Sequence, residues 1–213
     1  MEENKSIIDQ YEEGIEKEDT EEIISVDELE GIKIHYSINT EEYDKGFKLF
    51  QKNFVFPKNI ALTVFFAIII GLFIEQMFHK GANIAVNLTC IGIAVAIVIV
   101  NWYKIHSAHK NLINSLKDIE DDNYTTVFCD DKIVISTDLK AGETEADRIV
   151  PHELEYDFYR PTVIEEDEVI LIYVKGMIFT IPKKYVSEED MQNIRELLSD
   201  KLGSKFKIKT KNN

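Results

Sequence analysis

Two apolar runs separated by a short polar break constrain this chain more than any other feature. The first runs from Ile60 to Ile74 without a charge and extends past Glu75 and Gln76 through Met77 and Phe78. The second runs from Ile84 to Val100, where Asn87 and Thr89 are the strongly polar residues. Between them stands His79-Lys80-Gly81-Ala82-Asn83. A helix rises about 1.5 Å per residue, so roughly 20 residues cross a hydrocarbon layer about 30 Å thick. With their interfacial flanks both runs reach that length, whereas a helix buried in a soluble core usually keeps a polar rhythm. The pattern predicts a helical membrane hairpin over 58–103, with spans near 59–78 and 84–103. The first run follows an acidic leader, a position that does not suit a cleaved signal peptide.

The lysines orient the hairpin. Lys45, Lys48, Lys52 and Lys58 precede the first run, Lys104, Lys110 and Lys117 follow the second, and the connecting loop holds Lys80 alone. Flanking Lys and Arg mark the cytoplasmic side. Both termini are therefore expected in the cytoplasm, with Trp102 and Tyr103 in the inner aromatic belt and Glu75 near the outer boundary.

Charge outside the hairpin is uneven, and the formal total is −15. Residues 1–30 carry thirteen acids against Lys5 and Lys17, too much charge and too little apolar content to fold alone, so an acidic disordered leader is expected. Its Ile7-Ile8 and Ile23-Ile24-Ser25-Val26 could serve as short docking motifs, though a solubilising tail is the plainer reading. So acidic a protein is a poor nucleic-acid binder, because that affinity comes from basic contacts to phosphate. Cys90 and Cys129 form neither a disulfide framework nor a CxxC pair, which suits a reducing compartment.

Taken in order, residues 31–57 read as a strand and an amphipathic juxtamembrane helix. Ile32 to Ile38 alternates with the period of a half-buried strand. Asn39 and Glu42 have capping-box spacing, and Tyr43, Phe47, Phe50 and Phe54 then recur on one helical face opposite Lys45, Lys48 and Lys52. That face either lies on the inner leaflet or packs on the soluble domain, and the sequence favours neither. Pro57 is expected to end this helix and open the first span. Residues 104–122 continue an apolar face as a stalk. His106 and His109 there stand at i and i+3, but no third metal ligand is adjacent.

Residues 123–203 turn β-rich. Tyr124–Cys129 and Lys132–Thr137 predict a hairpin across Asp130-Asp131, and Ala141-Gly142-Glu143 a loop. Further strands are expected at 148–150 and 155–160. Val169–Val174 and Met177–Ile181 predict a second hairpin across Lys175-Gly176. Glu165-Glu166 reads as a solvated loop. Ser187 with Asp190 caps a last helix whose Met191, Ile194, Leu197, Leu198 and Leu202 share a face. Residues 204–213 read as a frayed basic tail.

The strand, the Thr40-Glu41-Glu42-Tyr43 helix and the two spans precede a β-rich module ending in Ile181-Pro182-Lys183-Lys184-Tyr185-Val186 and the Ser187-Glu188-Glu189-Asp190 helix start. Over about Ile32 to Leu202 this resembles the YcxB-like family of bacterial membrane proteins. That resemblance implies a C-terminal module similar to pleckstrin-homology (PH)-like domains and brings no catalytic residues with it. The fold class expected is an α+β membrane protein: a transmembrane hairpin with a small antiparallel β-rich PH-like cytoplasmic domain closed by a helix. The acidic run Glu165-Glu166-Asp167-Glu168 weighs against an anionic headgroup site in that domain.

No phosphate loop, Gly-x-Ser-x-Gly or His-Glu-x-x-His is present. No catalytic, cofactor-binding or metal-ligating residue is therefore assigned, and no cofactor is expected. Gly92 and Ala96 form a small-xxx-small pair suited to packing, either within the hairpin or between protomers. The expectation is a non-catalytic membrane-anchored protein. Its partners are the lipid bilayer and a protein or a second copy, not nucleic acid. The alternative is a small oligomeric channel or transport accessory, for which Asn87 would matter.

Overall fold

A computed structural model of the protein describes residues 26–116, 122–139 and 149–209. The leader through residue 25, the end of the stalk at 117–121, the loop at 141–143 with Arg148, and the last four residues lie outside the described residues. The fold is α+β. A short 3-10 turn at Val26–Glu28 leads into β1 (Ile32–Ser37), α1 (Thr40–Phe50), α2 (Phe56–Gln76) and α3 (Ile84–Leu116). Then follow β2 (Asn123–Phe128), β3 (Lys132–Thr137), β4 (His152–Glu155), a helical turn α4 (Tyr156–Tyr159), β5 (Thr162–Glu165), β6 (Val169–Val174), β7 (Met177–Pro182), α5 (Glu188–Leu202) and β8 (Phe206–Ile208).

Two four-stranded sheets form the β module, in the orders β1-β2-β3-β4 and β7-β6-β5-β8. All neighbours pair antiparallel except β5 and β8. β1 pairs with β2 from Ile32↔Phe128 to Ser37↔Asn123, so the helical hairpin is an insertion between two adjacent strands. Ile34, Phe128, Ile133 and Leu154 of the first sheet meet Val163, Ile170, Ile172 and Ile181 of the second, and Met191, Ile194 and Leu198 of α5 close that core. Each such fully buried aliphatic side chain contributes about 2 kcal/mol of transfer free energy.

β6 explains why Val169–Val174 shows no polar alternation. Ile170, Ile172 and Val174 face the inter-sheet core, while Val169 and Leu171 face α1 together with Leu49, Phe50 and Phe54. A strand covered on both sides has no reason to alternate. The aromatic face of α1 therefore packs on the domain: Phe50 and Phe54 rings lie 5.1 and 4.5 Å from that of Tyr173. The outer face of the first sheet is covered in part by the end of the leader, where Val26 is buried against Val127, Cys129 and Val134.

α2 and α3 are each long and apolar enough to cross a membrane. Their surfaces are turned outward: Ile60, Phe65, Ile68, Leu72, Ile93 and Ile99 are all more than half exposed. A core helix of a soluble protein would bury those side chains. The two helices pack along a seam that buries Ala94 and Asn87, and Trp102 Nε1 donates across it to Thr63 Oγ1 at 3.1 Å.

Several expectations are corrected. Pro57 does not end the juxtamembrane helix. A π-helical turn at Gln51–Val55, in which the Phe56 N–H reaches Gln51 O, carries α1 into α2 without a break. A proline lacks an N–H and crowds the carbonyl four residues back, and the wider turn relieves that conflict. Of the strand expected at 155–160, Glu155 alone is in a strand, as the end of β4: Tyr156–Tyr159 turn as α4 and leave through Arg160 at φ 47°. Ile149 and Val150 carry no strand. Glu165 belongs to β5 rather than to a loop, and the supposedly frayed tail contains β8. Lys175 and Gly176 both have positive φ, the requirement of a two-residue turn whose twist suits its strands.

Candidate functional site

Two of the module's concavities and one buried charge cluster gather polar or aromatic side chains that could form a site. The first concavity, about 180 Å³, opens where α1 meets the mouth of the two sheets. Tyr36, Tyr43 and Tyr124 line one side and Ile178, Phe179 and His152 the other, with exposed Ile149 and Val150 at the rim. The asparagine capping box places Tyr43: Asn39 Oδ1 accepts from the Glu42 N–H at 2.9 Å, and Glu42 Oε2 accepts from the Asn39 N–H at 3.2 Å. Tyr36 stacks on Tyr124 at 5.7 Å, and Tyr43 OH donates to Tyr124 OH at 3.4 Å. Burial pushes the Tyr36 and Tyr43 phenols well above the ordinary tyrosine value, so both hydroxyls stay neutral. The space suits a small uncharged group or an apolar side chain.

The second concavity, about 290 Å³, lies on the outer face of the first sheet beside Val26. There Thr125 Oγ1 donates to Asp138 Oδ1 at 2.7 Å and lies 2.8 Å from His35 Nδ1. The hydroxyl's single proton goes to the carboxylate, so the imidazole N–H donates to Thr125. A nucleophile needs a base accepting its proton and an orienting group behind that base. Here the hydroxyl stands in the middle, an order that fixes side chains rather than activating one.

The charge cluster centres on Glu165, 1% exposed at the end of β5. Arg195 of α5 donates through Nε to Oε2 at 2.8 Å and through Nη2 to Oε1 at 2.5 Å, while Lys183 Nζ donates to Oε1 at 2.6 Å. Burial pushes this carboxyl up, but the Arg195 and Lys183 hydrogen bonds outweigh it and hold the group below its ordinary value. The neighbouring acids are also answered from within the chain: Lys52 approaches Glu166 at 3.6 Å, and Lys45 meets Glu168 at 2.5 Å. What reads as a solvated acidic loop is the counter-surface for the lysine face of α1. Helical spacing shows which residues share a face, but not that the aromatics pack on Tyr173 of β6 while Lys45 and Lys52 reach the β5–β6 loop beside it.

The residues weighed from sequence are placed as follows. His109 meets Asp44 of α1 at 2.5 Å and stacks on Phe47 at 5.7 Å, whereas His106 is exposed. Among the described residues no three His, Cys, Asp or Glu side chains gather as a metal site. Asn87 is 3% exposed and turned into the hairpin seam, with its side-chain Nδ2 unpartnered. Gly92 and Ala96 are exposed, and a methyl added at Gly92 would meet nothing within 4 Å, so this pair does not pack within the hairpin. The chain matches no protein-family model, no curated protein and no solved structure. Its chemistry is therefore read from its own residues.

Proposed function

We propose that this protein is a non-catalytic membrane anchor. Its α2–α3 hairpin spans the bilayer with both termini in the cytoplasm, and its PH-like β module binds a protein partner or sets assembly at the membrane surface. The observation that carries the reading is the continuity of an outward-facing apolar hairpin with a helix clamped onto the module. α1 and the π turn after it pack Leu49, Phe50 and Phe54 on the second sheet, and Asp44 and Gln51 tie them to α3 through His109 and the Ile105 carbonyl. Such a junction fixes the module's position at the hairpin base, which an assembly platform requires and a tethered enzyme does not. Two sheets closed by a C-terminal helix are also the layout that the PH-like resemblance implies.

The burial of Asn87 in the seam favours this reading over a pore, since functional polar residues in membranes usually face a water-filled path. Purification of the intact chain in mild detergent, followed by mass spectrometry of whatever remains bound, tests the proposal. A stoichiometric protein partner lost on Val150→Glu is the expected result. A homo-oligomer that carries only lipid and conducts ions in vesicles would contradict it.

A further inference from the structure

Among the described residues the second sheet ends at β8 with its outer edge unpaired, and the path of α1 points that edge at the membrane. The helix runs across the sheet from β7 towards β8: Gly46 lies on Thr180 of β7, and Phe50 and Phe54 lie on Tyr173 of β6. Beyond β5, the side chain of Lys209, one residue past β8, donates to Asn53. The helix therefore leaves the module over the β8 side before continuing into α2. Asn53 precedes Ile60, the first residue of the apolar run, by seven residues, or about 10 Å of helix. The headgroup layer on each side of the hydrocarbon is about 5–8 Å deep. Lys209 thus stands at its boundary, within roughly one Debye length, about 8 Å.

Among the described residues β8 pairs only with β5, in parallel register from Val163↔Phe206 to Glu165↔Ile208, and no described strand lies on its other side. Lys207 is exposed along it, Lys205 just before it is exposed and donates to the Arg160 carbonyl at 2.8 Å, and Ile208 is 55% exposed. From Lys201 to Asn213 the chain contains no acid. The acids at the end of β5 and just after it are occupied, Glu165 by Arg195 and Lys183 and Glu166 by Lys52. In a chain of net charge −15, Lys207 and Lys209 make a basic strip on the α1 side of this edge, while Ile208 alternates to the other side, beside Arg195 and Glu196 of α5.

We infer that the β8 edge is a lipid-docking surface: Lys205, Lys207 and Lys209 contact anionic phospholipid headgroups of the cytoplasmic leaflet. This rests on the hairpin spanning the bilayer. The contact is electrostatic and does not select a headgroup stereochemically, because the lysines project from a strand edge rather than into a pocket. It holds the module in one orientation, with the tyrosine cavity of the α1–sheet junction displayed to the cytoplasm.

The full chain, carrying Cys90→Ala, Cys129→Ala and Ile208→Cys, is labelled with a polarity-sensitive fluorophore and placed in nanodiscs. One set is phosphatidylcholine alone and the other contains about 30% phosphatidylglycerol, each with headgroup spin-labelled lipid as quencher. Quenching is expected to rise in the anionic discs at low salt and to fall at 0.5 M salt. Each lysine near an anionic surface is worth about a fivefold change in the docked-to-undocked ratio, so Lys205→Ala with Lys207→Ala lowers that ratio roughly 25-fold. Equal quenching in the two lipids, or quenching indifferent to the lysine substitutions, overturns the docking surface while leaving the anchor standing. Quenching that depends on two copies per disc shows the edge paired with another chain and overturns it too. A protein that stays out of both kinds of disc refutes the anchor itself, and the docking surface with it.

Discussion

Gly46→Ala separates the packing of α1 from its helix propensity. In a helix whose face is open, replacing glycine by alanine stabilises by about 1 kcal/mol. At Gly46 the added methyl would lie 2.0 Å from Thr180 Oγ1, 2.7 Å from its Cγ2 and 2.9 Å from its Cβ. Comfortable contact is about 3.5 Å, so the helix must lift by about 1.5 Å, because Thr180 is buried in β7 and has no open side to turn into. Lifting opens a gap beneath Leu49 and Phe50, and such a gap forfeits a quarter to a half of the dispersion attraction there. Overpacking of this kind costs about 1–3 kcal/mol. The sign is therefore opposite to that of an exposed helix. Urea unfolding of the module within the full chain in mild detergent, followed by β-sheet circular dichroism, should show a lower midpoint. Gly46→Ala with Thr180→Gly should recover at least about 1 kcal/mol relative to the sum of the single changes. A stability equal to or above that of the parent would mean that α1 does not lie on β7, and the junction would have to be redrawn.

Glu165→Ala should destabilise the module by about 3 kcal/mol, the low end for a broken buried pair, since Arg195 and Lys183 keep partial access to water. Because the Glu165 carboxyl is held below its ordinary value of 4.5, its contribution is complete above that value and is lost as pH falls through the folded value. Acid titration of stability should show this step in the parent and not in Glu165→Ala. Asp44 is also held low: burial pushes it up, but Lys48 and His109 outweigh that. Asp44→Asn should cost about 1 kcal/mol and speed hydrogen exchange at the start of the stalk, with β2 unchanged. Asn87→Leu should raise the thermal midpoint of the hairpin by removing an unpartnered buried amide, a gain of about 1–2 kcal/mol, whereas a pore would lose flux.

Element types were legible wherever one local signal determined them. The Asn39–Glu42 box, the Ser187 cap and the Lys175-Gly176 turn all appear where their spacing placed them, because capping and turn chemistry act within a few residues. The hairpin helices were legible because uncharged runs of that length have few other uses. What the sequence left open depended on partners distant in the chain. The side on which Phe50 and Phe54 pack is decided by Tyr173, well over a hundred residues later. The fate of Glu165 is decided by Arg195 on another element. β8 was missed because three residues, Phe206–Ile208, carry almost no periodicity, and its pairing with β5 rather than its composition makes it a strand. The α4 turn was misread because Tyr156, Phe158 and Tyr159 favour strands by propensity, while Tyr156 OH in fact donates to the Cys129 carbonyl and anchors a bend.

Cysteine accessibility in intact and inverted membranes tests the central claim most directly. On a Cys90→Ala, Cys129→Ala background, Ala82→Cys lies in the α2–α3 turn and Ser199→Cys lies on α5. The account predicts that a membrane-impermeant maleimide labels Ala82→Cys only from outside and Ser199→Cys only from the cytoplasmic face. Labelling of both sites from the same face, or equal labelling with no membrane fraction, would contradict it.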